Sequence, residues 1–187
     1  MKVRALALLR RPTVRQTIPD TQVKLERIEY NMDGIPMKQK DIKNLIEFAT
    51  KLLVARCLPG DIRSLFYPDV NHNFHIVVKP DGRAAVLVAD VDYPTQSGVS
   101  GAMGLLKDPN NVPNLSREIQ RLQDPSEADK FIKLQKEIDE VKMIMVENID
   151  KILERGEKID DLVAQSEELD TAAKSFYKGS KKMKGCC

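Results

Sequence analysis

Sixteen residues from Phe131 to Met183 recur in alternating steps of three and four, and this seam limits the chain more than any other feature. The series is Phe131, Leu134, Ile138, Val141, Met145, Asn148, Ile152, Arg155, Ile159, Leu162, Ser166, Leu169, Ala173, Phe176, Ser180 and Met183. A mean step of 3.5 keeps one stripe facing its partners and imposes a left-handed supercoil. As one helix the segment would run about 80 Å, far beyond the needs of a globular domain. Outside the seam Lys, Glu, Asp and Gln dominate. A helix with one apolar stripe cannot bury it alone, so residues 127 to 183 by themselves should be largely disordered and should order against other helices.

Two polar residues interrupt the stripe. Asn148 is a familiar device, since one amide in a seam fixes register and strand number at some cost in stability. Arg155 sits mid-seam between Ile152 and Ile159. A desolvated guanidinium costs several kcal/mol unless acceptors meet it. Either it snorkels to water from a two-stranded coil, or other helices bring it oxygens.

The surrounding residues favour the second answer. The run Leu153-Glu154-Arg155-Gly156-Glu157-Lys158-Ile159-Asp160-Asp161-Leu162 resembles the centre of an R-SNARE motif, in which the arginine meets three glutamines. Upstream Gln135-Lys136-Glu137-Ile138-Asp139-Glu140-Val141 and downstream Lys174-Ser175-Phe176-Tyr177-Lys178 are similar to the lipid-anchored longin R-SNAREs of the synaptobrevin-like family, the Ykt-six type. The resemblance implies partners in three Q-SNARE helices, a parallel four-helix bundle that zippers from Phe131 toward Met183, and Arg155 in its central layer. Burying apolar seam side chains at about 1.5 to 3 kcal/mol each would drive membrane docking and fusion. It also implies a longin domain that folds back on the unzipped motif and restrains it. The alternative is a self-associating coiled-coil tether on membranes without fusion activity, which would form homo-oligomers.

Composition excludes several other classes. The 187 residues allow one modest core and an extension. Charged residues make up 31% yet nearly balance at net +2, and aromatics are only 5% with no tryptophan, which argues against nucleic acid as partner. Hydrophobic runs are short, so neither a membrane span nor a secretory signal is expected. These features predict a chain that stays on the cytosolic side. By resemblance it would be cytosolic and peripheral on Golgi, ER or endosomal/vacuolar membranes and vesicles. Asn114-Leu115-Ser116 fits a glycosylation sequon but is expected to be a plain loop.

The N-terminal half alternates between strand and helix signals. Residues 2 to 10 place Val3, Ala5, Ala7 and Leu9 on one face of a first strand. Val23, Leu25 and Ile28 suggest a second, ended by the Asn31-Met32-Asp33-Gly34 turn. Ile42, Leu45, Ile46, Ala49, Leu52, Leu53 and Arg56 share one stripe of a helix from about 38 to 57. Strands follow at 62 to 67 and 74 to 79, then a Pro80-Asp81-Gly82 turn, then an apolar strand at 84 to 91 expected to be central. This order, with Val88-Ala89-Asp90-Val91-Asp92-Tyr93-Pro94, resembles the longin (profilin-like) domain. The fold class is thus α+β, a small antiparallel sheet with flanking helices followed by a long C-terminal coiled-coil SNARE helix. Expected boundaries are 1–118 for the longin domain, 119–126 for a linker and 127–187 for the v-SNARE motif.

After Thr95 the sequence departs from that family. Gly98, Gly101 and Gly104 leave room for one brief, weak helix near 99 to 107, and Leu115, Ile119 and Leu122 suggest a last one. Asp124-Pro125-Ser126-Glu127 reads as a cap that starts the SNARE helix.

Past Asp170 there are lysines and no acids. Lys178, Lys181, Lys182 and Lys184 are candidates for contact with an anionic leaflet. Cys186 and Cys187 are candidate lipidation sites, because two lipid chains anchor stably where one binds reversibly. Covalent prenyl and palmitoyl groups are expected, with no other cofactor. In the resembled family three residues follow such a pair; either the chain given is clipped, or the two cysteines are themselves the signal. No phosphate loop, nucleophile elbow or metal-ligand pair suggests an enzyme, and His72, His75 and Cys57 are expected in core or surface roles.

Overall fold

The computed structural model describes residues 1–35, 39–110, 112–127 and, with side chains to residue 179, 144–184. Six strands form one sheet in the order β2-β1-β5-β4-β3-β6. The strands are β1 Val3–Arg10, β2 Lys24–Tyr30, β3 Ile62–Tyr67, β4 His72–Val78, β5 Arg83–Asp90 and β6 Val146–Asn148. The first five pair antiparallel, as expected. β6 adds to the edge of β3 in parallel.

Apolar residues on both faces of β1 and β5 are covered, which is why these strands read as dense hydrophobic runs rather than clean alternations. Helix α1, Gln39–Arg56, lies on one face and buries Leu45, Ile46, Ala49, Leu52 and Leu53 against Ala5, Ala7, Leu9 and Val86. Helices α2, Thr95–Leu105, and α3, Leu115–Arg121, cover the other, against Leu6, Leu8, Leu87 and Ala89. Ile119 and Leu122 pack into this second layer, so it continues into the stretch 119–126.

Val3 departs from the expected face. It packs with Leu6 and Leu8 rather than with Ala5, Ala7 and Leu9. The register against β5 shifts between Val3 and Ala5, and one extra residue in a strand reverses every side chain beyond it. The Gln123 amide takes both main-chain groups of Val3, accepting from its N–H at 3.2 Å and donating to its carbonyl at 3.0 Å. A similar shift between Leu8 and Leu9 explains the three-residue step from Leu25 to Ile28 in β2.

Helix α2 starts earlier than the expected 99 to 107 and is closely packed rather than weak. Its glycines let the helix approach the sheet: a Cβ on Gly98 would lie 2.2 Å from Cδ2 of His75, and one on Gly101 2.8 Å from Cδ1 of Leu87. The close contact repays the helix-interior cost of glycine. Asn114 is not a plain loop residue but the cap of α3, its side chain accepting from Arg117 N at 3.1 Å. Asp124 caps the next helical start as predicted, accepting from Ser126 N at 2.9 Å.

Candidate functional site

Residues 144–184 lie against the sheet edge and α1 instead of extending as one rod. A lone chain offers its apolar stripe only one apolar surface, that of its own N-terminal domain. Val146, Glu147 and Asn148 register against Ser64, Leu65 and Phe66 at the β3 edge. A 3-10 turn, Ile149–Lys151, then carries Ile149 into the α1-side core at 1% exposure. Asn148 caps that turn, its side chain accepting from Asp150 N at 3.0 Å. Ile152 and Leu153 pack partly buried beside it.

Arg155 and Gly156 occupy the middle of a tight turn. Glu157 N donates to Glu154 O at 3.0 Å, and Glu154 N donates back to the Glu157 carboxylate at 2.8 Å. Gly156 has φ +93°, a conformation that favours glycine. Arg155 faces solvent. Its neighbours are held: Thr17 Oγ1 donates to Glu154 at 2.7 Å, and Arg56 of α1 forks onto Glu157 at 2.6 and 3.2 Å. The loop carrying Thr17 and Ile18 is itself organised by Arg11, 2% exposed, which donates to the carbonyls of Pro12, Val14, Gln16 and Val54. Burial acts to raise the Glu157 carboxyl, but the Arg56 hydrogen bonds and charge outweigh it and hold the group below the usual carboxylate range.

Two helices complete the docked segment. α4, Ile159–Gln165, buries Ile159 and Val163; α5, Thr171–Lys184, buries Ala173 and Tyr177, each pair spaced i, i+4 on one helical face. Leu169 is buried between the helices. Asp170 caps α5 through Ala173 N at 2.8 Å and meets Lys40 at 3.1 Å, while Lys51 meets Glu168 at 3.0 Å. The Tyr177 ring lies 6.5 Å from that of Tyr67. Its hydroxyl stands 2.8 Å from Asp69 and 2.6 Å from Asp160, joining the β3–β4 turn to α4. Burial first, then Tyr67 and the two carboxylates, push this phenol well above its usual pKa, so it remains a donor.

Of the predicted seam, Ile159, Leu169 and Ala173 are buried against the N-terminal domain and Ile152, Leu162 and Phe176 partly so. Ser166 accepts from Leu169 N at 3.4 Å, and Met145 is 80% exposed. Lys178 is exposed. Ser180, Lys181, Lys182, Met183 and Lys184 continue α5. Phe131, Leu134, Ile138, Val141, Cys186 and Cys187 lie outside the described residues. Sequence reasoning missed Ile149, Leu153, Val163 and Tyr177, apolar residues each one place after a seam position, together with Arg56 and Lys51 on α1. The off-seam apolar residues themselves were the available signal.

Among the described residues no helix is long and apolar enough to cross a membrane, and no group of three or more His, Cys, Asp or Glu side chains could hold a metal ion.

Comparison with known proteins points to one family. The Synaptobrevin family profile matches residues 130–186. The synaptobrevin homolog ykt6 of Schizosaccharomyces pombe is 30% identical over 165 residues, covering 80% of this chain and 83% of that protein. The VAMP-like protein YKT62 of Arabidopsis thaliana is 34% identical over 164 residues, 80% of each chain. The synaptobrevin homolog YKT6 of Candida glabrata is 27% identical over the whole of this chain and 98% of its own length. With an α+β domain leading into a segment that carries the R-SNARE pattern, the chain belongs to the synaptobrevin family of vesicle-trafficking SNAREs, and to its Ykt6 type.

Proposed function

We propose that this chain is an R-SNARE whose segment 127–187 supplies one helix to a parallel four-helix bundle with three Q-SNARE helices, and that its longin domain, assigned to 1–118 with a linker at 119–126, holds that segment back until partners arrive. The observation that carries this is the burial of Ile159, Leu169 and Ala173 on the domain. The same stripe cannot face α1 and three foreign helices at once, so closure and assembly exclude each other. Arg155 is the central-layer residue. Exposed at the turn in the closed form, it becomes buried on assembly, where glutamine oxygens satisfy its guanidinium and select partners more than they add stability. Cys186 and Cys187 carry prenyl and palmitoyl chains, and Lys178, Lys181, Lys182 and Lys184 add attraction to an anionic leaflet. The protein then cycles between the cytosol and the cytoplasmic face of Golgi, ER, endosomal or vacuolar membranes.

The test is to mix the full-length protein with Q-SNARE helices and look for a heat-resistant hetero-tetramer. Arg155→Ala should leave the protein soluble and closed but blur its preference for glutamine-layer partners. Failure of the native chain to assemble with any Q-SNARE set would overturn the proposal. Mass spectrometry of the native C-terminus checks the lipids.

A further inference from the structure

We infer that the closed form is held by a face of the SNARE segment lying one residue past the bundle seam, formed by Ile149, Leu153, Val163 and Tyr177, so that restraint and assembly are separable by substitution. The inference rests on the proposed SNARE function and names the surface that regulates it.

Each of these residues directly follows a seam position, namely Asn148, Ile152, Leu162 and Phe176. On a continuous helix one residue is about 100° of rotation, which places the four on the flank of the bundle rather than inside it. In the closed chain the order of burial is reversed at three of the four pairs, while Leu153 is partly buried like Ile152. Ile149, Val163 and Tyr177 are 1%, 2% and 3% exposed, whereas Ile152, Leu162 and Phe176 are only partly buried. The segment has therefore turned toward the domain by part of a helical step. The broken path at Glu154–Glu157 and at Ser166–Asp170 lets each short helix choose that rotation independently, which a single rod could not do.

Chemistry distinguishes the flank as well. The Tyr177 hydroxyl meets Asp69 of the domain and Asp160 of α4, polar partners that an apolar seam has no use for. The two faces overlap at Ile159, Leu169 and Ala173, and this sharing makes closure and assembly mutually exclusive. The flank supplies closure with contacts that the bundle does not use. Once the bundle forms, Val163 and Tyr177 return to solvent, and their lost burial is a cost that the partner helices must overcome.

The experiment compares the full-length chain with the double variant Val163→Gln/Tyr177→Gln, the hydroxyl-only variant Tyr177→Phe and the seam variant Leu162→Gln. Three quantities are read: the rate of bundle formation with Q-SNARE helices, the melting temperature of the finished bundle, and hydrogen exchange along the chain. The double variant should assemble about tenfold faster or more, with bundle melting unchanged and residues 149–177 losing exchange protection while β4 and β5 keep theirs. Tyr177→Phe should shift the rate in the same direction by less, and Leu162→Gln should lower bundle melting. An unchanged rate, or a fall in bundle melting matching that of Leu162→Gln, overturns the inference. If the native chain forms no bundle at all, the functional proposal falls. Exchange then still decides the face: release of 149–177 in the double variant supports it, and unchanged protection refutes it. If the double variant unfolds the sheet, Tyr177→Phe decides by the same exchange criterion.

Discussion

The Arg56 guanidinium, at the end of α1, forks onto the Glu157 carboxylate two residues after the central arginine, Nη2 to Oε1 at 2.6 Å and Nε to Oε2 at 3.2 Å. Arg56 is 10% and Glu157 23% exposed, so the pair is largely shielded from screening water. A third Arg56 nitrogen donates to the Ile18 carbonyl at 3.0 Å. One side chain thus ties helix, loop and SNARE segment together beside Arg155.

Arg56→Ala should therefore loosen the closed form by about 1 to 2 kcal/mol, roughly tenfold in the population of open chain. Hydrogen exchange over residues 149–165 in the full-length protein reads the change. Bundle melting should not respond, because Arg56 lies outside the SNARE segment.

Gly156→Ala should act in both states at once. At φ +93° an added Cβ strains the turn by about 1 kcal/mol, while in a continuous helix alanine is favoured over glycine by about 1 kcal/mol. The two effects add to about 2 kcal/mol toward the helical, open form, roughly thirtyfold. Circular dichroism of the full-length chain with and without Q-SNARE helices would register it as more helix before mixing and faster assembly after. Unchanged assembly would mean the turn at 154–157 does not limit opening.

Acid should weaken the domain through His75. This imidazole is fully buried on the α2 side, its Nδ1 2.8 Å from Ser64 Oγ, and burial pushes its pKa down from 6.5 to about 4. A depressed histidine favours the fold above pH 6.5 and withdraws that contribution as pH falls toward 4. The loss should approach about 3 kcal/mol across that window, measurable as a falling midpoint in urea unfolding. Glu157, held low by Arg56, loses its contribution as pH falls from the ordinary carboxylate value toward its lowered one, so the docked segment should release at lower pH than the one at which core weakening begins.

Gly98→Ala should be among the costlier single substitutions. The added carbon would meet three atoms of the His75 ring within 2.6 Å, and β4 holds that ring in place. Overpacking of this kind costs about 1 to 3 kcal/mol. Thermal unfolding of the full chain checks it, with Gly179→Ala as the control, since an added Cβ there meets nothing within 4 Å.

Periodicity and residue chemistry were enough to mark the helix Gln39–Arg56, the central strand near 84 to 91 and the cap at Asp124, and to single out the 3.5-residue repeat and Arg155 within it as candidates. These are local or one-dimensional signals: a 3.5-residue repeat, a 3.6-residue stripe, a cap spacing, a charge in an apolar row. Only the tertiary structure decided that Val3 turns to the other face, because a bulge depends on the partner strand. It alone decided that Gly98 and Gly101 bring α2 close rather than weaken it, because the gain lies in contacts with His75 and Leu87. The choice of docked face was also beyond the linear pattern. Burial is settled by which surface is within reach, and in a single chain the nearest one is α1 and the β3 edge, which draw Val163 and Tyr177 inward ahead of Leu162 and Phe176.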